Sequence, residues 1–134
     1  RMRASISLSM LGILGMLALA ACGSDEIEIQ GTYNSSFGGM ETITSTVWNG
    51  TPITSYDNDT NFAITQNPAN SMFGASLFNK IVWTEKAGNS FYYCFVDFGQ
   101  PTALAAETST QTANASMPDT TGCGGFSWTK LTAL

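Results

Sequence analysis

Apolar and polar residues alternate along most of the chain from Ile27 onward, and each run of alternation predicts a strand. Ile27–Tyr33 (IEIQGTY) sets Ile27, Ile29 and Tyr33 on one face, and the turn-forming stretch 34–39 (NSSFGG) ends it. Met40–Trp48 (METITSTVW) is rich in β-branched residues and reads as one strand with Ile43 and Val47 together. Asn49-Gly50 predicts a tight hairpin turn into Thr51–Tyr56, where Pro52 belongs near the strand start or on an edge. Asp57-Asn58-Asp59 turns the chain into Thr60–Gln66, with Phe62 and Ile64 on one face, and 67–76 is an irregular loop. Leu77–Glu85 and Ser90–Phe98 form the clearest hairpin. In its second strand Phe91, Tyr93 and Phe95 point one way and Tyr92, Cys94, Val96 and Phe98 the other, so cover is expected on both faces. Thr102–Thr110 alone has helix-forming composition, with Pro101 placed as the first helical residue. A polar loop, 111–122, leads to a last strand, Phe126–Leu131, with Phe126 and Trp128 on one face. The pattern predicts a mainly β fold: a small antiparallel meander barrel or sandwich of about seven strands, with one short helix before the last strand. Closing such a meander removes its exposed edges.

Before this domain the pattern changes. Arg1 and Arg3 precede an uncharged run, Ile6–Ala21, that exits on small residues, the three parts of a secretory signal. The run is short for a span of the roughly 30 Å hydrocarbon core, which takes about 20 apolar residues. Its last residues, Leu19-Ala20-Ala21-Cys22, resemble the bacterial lipoprotein signal. The resemblance implies cleavage of residues 1–21, acylation of Cys22, a tether over 22–26 and a single β domain over 27–134. Each buried acyl CH₂ contributes about 0.8 kcal/mol, so two or more chains hold firmly where one holds marginally. Gly23, where an aspartate would retain the protein at the inner membrane, implies the outer membrane of the bacterial envelope.

Charge narrows the partners. Beyond residue 21 the chain keeps Lys80, Lys86 and Lys130 against ten acidic residues. So acidic a surface, with no basic run, excludes nucleic acid as a partner, because that binding rests on phosphate neutralisation. Histidine is absent from the sequence. This removes the commonest general base and transition-metal ligand and excludes Ser-His-Asp and Cys-His catalysis. With Cys22 assigned to lipid, Cys94 and Cys123 remain, and in an oxidising compartment they are expected to pair. No basic residue stands near either one to activate a thiol.

Segments suggestive of chemistry are few. Asp57-Asn58-Asp59-Thr60-Asn61 begins like a calcium loop, yet Phe62 stands where the sharp-turn glycine is needed and Pro68 where the bidentate glutamate belongs. No metal or cofactor is therefore expected. Asp97-Phe98-Gly99 matches the magnesium-holding triplet of protein kinases without any of its accompanying motifs. Asp97, beside the expected disulfide, is the carboxylate to inspect first for carboxylate-only hydrolysis. Trp48, Trp83, Tyr93 and Trp128 are candidates to line a pocket for a small apolar ligand, and equally candidates for the core.

With these residues in view, the segments IQGTYNSSFGG, ITSYDNDTNFAITQNP, FNKIVWTE, FYYCFVDFG and GCGGFSWTKLT, spread over Ile27–Thr132, resemble a family of small bacterial lipoproteins that carries no assigned activity. Gly31-Thr32-Tyr33, with a helix before the last strand, is also similar to lipocalin-like barrels, although Tyr33 replaces that family's tryptophan. The expectation is a lipid-anchored envelope protein acting as a binding or structural module and not as an enzyme. The alternatives are a lipocalin-like carrier of a small apolar ligand, or an inhibitor of a wall-degrading enzyme that presents 67–76 or 111–122 to its target.

Overall fold

A computed structural model of the protein describes residues 25–134, so the expected leader and Cys22 lie outside the described residues. The chain forms eight strands: β1 (Gly31–Ser35), β2 (Met40–Ile43), β3 (Val47–Trp48), β4 (Thr51–Asp57), β5 (Phe62–Gln66), β6 (Phe78–Trp83), β7 (Ser90–Gln100) and β8 (Thr129–Ala133). One helix, α1 (Ala103–Glu107), lies between the last two. Every strand pairs antiparallel with its sequence neighbour, and β8 returns to β1 to close the barrel. The mainly β fold, the meander order and the helix before the last strand are those the residue pattern predicts.

The eighth strand arises because Met40–Trp48 is two strands and not one. Thr44 Oγ1 accepts hydrogen bonds from the backbone N–H groups of Thr46 and Val47, folding Thr44-Ser45-Thr46 back so that Ile43 pairs with Trp48. Short hydroxyl side chains make such turns without glycine or proline. Ile27–Gln30 departs from expectation too. It is a turn, closed by Gln30 N–H on Ile27 O, and β1 starts only at Gly31. The last strand begins at Thr129 rather than Phe126, and Pro101 precedes the helix N-cap, Thr102, whose hydroxyl accepts from Ala105 N–H.

The Asn49-Gly50 hairpin forms as its dipeptide dictates. Both residues take positive φ, 44° and 87°, as a two-residue turn matched to strand twist requires.

Meander connectivity divides the connections between two ends of the barrel. One end gathers the turns at 44–46, 58–61 and 84–89 together with residues 25–30; the other gathers 36–39, 49–50, 67–77 and the long connection 101–128. The first is a plugged end. Ile27 and Ile29 are almost wholly buried and join the core of Tyr33, Ile43, Trp48, Ile81, Phe91 and Leu131. Polar bonds pin this plug: Ile27 N–H to Ser45 Oγ, Glu28 N–H to Asn58 Oδ1, Asn58 Nδ2 to Glu26 O, and Trp83 Nε1 to a Glu28 carboxylate oxygen at 2.8 Å. Tyr56 donates to Asp25 O. The interior is thus filled by side chains from the plug upward.

Outside the wall, α1 packs over β5, β6 and β7, burying Ala106, while Ile64 is buried on the face opposite to the core residue Ala63. The Cys94–Cys123 disulfide, with Cα atoms 5.7 Å apart, ties the long connection to β7. Both faces of β7 are covered over its first half, as expected. Among the described residues no helix is long and apolar enough to cross a membrane.

Candidate functional site

The open end of the barrel owes its shape to unequal strands. β7 runs to Gln100, but β8 pairs with it only over Ser90–Tyr93. From Cys94 onward β7 keeps only its β6 neighbour, and the turn Cys123–Phe126, closed by two backbone bonds, stands in for the missing strand. Between the two lies a cleft of about 390 Å³, bordered by Tyr93, Phe95, Phe98, Phe126, Thr129 and the disulfide. This is within the usual range for small-ligand sites, and its walls are mainly apolar.

A bulge aims the aromatic walls. Lys80 pairs with Asp97 and Ile81 with Phe95, leaving Val96 as the extra residue. Phe95 and Phe98 then lie nearly parallel, 12° apart with ring centroids 5.2 Å apart, and Phe98 remains 66% exposed. Phe126, 76% exposed, stands across the cleft.

At the base of the cleft Tyr93 donates its hydroxyl to Glu41, 3.0 Å from each carboxylate oxygen. Glu41 pairs with the core residue Tyr33 and lies two residues before the core residue Ile43, so period-two alternation turns it toward the barrel interior. Burial, and then the neighbouring Glu41 charge, push the Tyr93 phenol well above its ordinary range, so it stays a donor. Among the described residues no cation pairs with this carboxylate: Lys80 rests over Phe62, Lys86 over Tyr33 and Lys130 over Tyr92. Sequence reasoning passed over Glu41, although its place in Met40-Glu41-Thr42-Ile43 signalled the inward face.

The four aromatic candidates do not share one cleft. Trp48, Trp83 and Tyr93 form a buried row, Trp48 lying 5.1 Å from Tyr93 and 6.1 Å from Trp83, and of the four only Tyr93 borders the rim cleft. Among the described residues the Trp48 indole N–H finds no hydrogen-bond partner. Trp128 is buried beneath the long connection, with its indole N–H on Asn114 O. Trp83 and Trp128 border a second, more polar cleft of about 430 Å³ beside residues 109–113.

Asp97 acts as a tie. It accepts from Ser109 Oγ, Gln100 Nε2 and Phe98 N–H, and these bonds, the Ser109 hydroxyl foremost, hold its carboxyl below the usual carboxylate range. Asp57 spends one carboxylate oxygen on the N–H groups of Asp59 and Thr60, capping its own turn. Among the described residues no three His, Cys, Asp or Glu groups gather closely enough to hold a metal ion.

Most of the exposed large apolar side chains lie at the open end as well, Leu134 at the other end being an exception. Phe37, Met72, Phe73, Phe98, Met117 and Phe126 all belong to its connections or to the upper part of β7. By contrast Asp25, Glu26, Glu28, Asp57, Asp59 and Glu85 cluster at the plugged end. Compared with known proteins, the chain matches no family model, no curated protein and no solved structure.

Proposed function

We propose that the protein is a lipid-anchored binding module of the bacterial cell envelope, with Cys22 acylated at the outer membrane and the open end of the barrel presented to the aqueous phase. One observation supports this reading most: the chain enters the barrel at the plugged end, where Asn58, Tyr56 and Trp83 hold residues 25–28. A membrane attachment at Cys22, three residues before Asp25, would leave the cleft and its exposed aromatic rim at the far pole. The binding surface then faces away from the anchor.

The experiment is Cys22→Ser followed by envelope fractionation. The expected result is loss of the protein from the membrane fraction; a substituted protein that still fractionates with membranes overturns the anchor. The carrier reading, with its small apolar ligand, draws support from the rim cleft and not from the barrel interior, which side chains fill. The inhibitor reading draws support from Met72 and Phe73, exposed by 89% and 83% on the 67–76 loop.

A further inference from the structure

We propose that the rim cleft binds organic cations carrying an aromatic or alkyl body, its aromatic faces taking the cation and Glu41 supplying the counter-charge. This rests on the binding-module reading and names the class of ligand. Four rings stand around one space: Tyr93 at the base, the Phe95–Phe98 pair on one wall and Phe126 on the other. Phenylalanine and tyrosine faces attract a cation within about 6 Å of the ring centre, most strongly when it carries little hydration, as a quaternary ammonium does.

Aromatic walls alone would accept any apolar body. Glu41 makes the choice. Its carboxylate oxygens each lie 3.0 Å from the hydroxyl of Tyr93, a residue of the cleft wall, and a carboxylate can accept about four hydrogen bonds, of which this hydroxyl supplies one. Every lysine among the described residues is engaged elsewhere, over Phe62, Tyr33 or Tyr92. An inward-facing carboxylate without a cation, set behind aromatic faces, complements a positive charge and repels a negative one. The excess of acidic residues over lysines adds a favourable long-range field for cations.

The test uses the full chain in neutral-lipid nanodiscs and three water-soluble probes: benzyltrimethylammonium, benzyl alcohol and benzenesulfonate. Saturation-transfer NMR, corrected for empty nanodiscs, gives each affinity. The cation is expected to bind at least about tenfold more tightly than the other two. Glu41→Gln keeps an acceptor for Tyr93 and should reduce that preference to within about twofold, leaving benzyl alcohol unchanged. Phe98→Ala and Phe126→Ala, both at exposed side chains, should weaken the cation and the alcohol together. If Glu41→Gln fails to fold, salt decides: raising it from about 20 to about 500 mM should weaken only the cation arm. Equal affinity for the three probes, a preference that survives Glu41→Gln or high salt, or no binding above the empty discs overturns the proposal. Incorporation of the protein into the discs is read on a gel before any probe is added, so a failed anchor shows as empty discs and is distinguished from a failed cleft.

Discussion

The two ends of the barrel solve opposite problems with the same kind of strand. At the plugged end a four-residue turn drives Ile27 and Ile29 into the core, and the Asn58 side-chain amide, the Ser45 hydroxyl and the Trp83 indole satisfy backbone and polar groups that it brings. At the open end the wall stops short on one side, a disulfide-held turn replaces the missing strand, and aromatic rings remain in water. The difference shows where the chain secures its stability and where it leaves apolar surface exposed. Apolar residues buried against neighbours stabilise the fold, whereas those left at the rim contribute little to it.

Substitutions at the two ends should therefore separate by size of effect. The largest belongs to the staple on the rim's wall. Cys94→Ala with Cys123→Ala frees a loop of about 30 residues and should cost roughly 3–4 kcal/mol by urea denaturation in the chain-entropy account. A loss under about 1 kcal/mol would show that the replacement turn is held by other contacts. Next comes the plug: Ile29→Ala, at a fully buried position, should cost about 3 kcal/mol. A cost near zero would mean that the barrel end is not closed by this turn.

Gly122→Ala follows, at about 2–3 kcal/mol. At φ 101° a Cβ there would stand 1.7 Å from Asn114 O, so the long connection must shift before Cys123 can reach β7. In alkali the base of the cleft should come into view. The Tyr93 phenol is raised in the folded protein, so its contribution is complete below the ordinary phenol value near 10 and is lost as pH rises past it toward the folded value. Tyr93→Phe should flatten the alkaline fall in stability relative to the parent chain; identical profiles would place the phenol in an unperturbed setting. The smallest effect closes the series. Phe126→Ser, at the exposed rim, should change stability by less than about 0.5 kcal/mol, the range of ordinary surface substitutions. A larger loss would make the rim part of the core.

Legibility in the sequence followed the same division. Long alternating runs such as Ser90–Phe98 and the Asn49-Gly50 dipeptide were readable because one local rule governs each. The pairing of Cys94 with Cys123 was readable once the lipoprotein resemblance set Cys22 apart. Ile27 and Ile29 misled, because a turn inserted into a barrel end buries the same two residues that a strand would. The Thr44-Ser45-Thr46 turn was hidden in β-branched composition, although its hydroxyls carried the signal. Phe126 was assigned to a wall because nothing local says that β8 starts three residues later. The rim cleft was least legible, since it depends on two strands of unequal length that meet only after folding.

The seam of the barrel carries a consequence for timing. Seven ladders join strands that follow one another, but the eighth joins Tyr33 to Ala133, across nearly the whole domain. Closing so wide a circle carries the greatest entropic cost of any pairing here, so it belongs at the end of assembly. A ribosome that still grips Thr129–Ala133 also keeps the sheet unrolled. The final strand is the clasp, and until it is released the molecule remains thread.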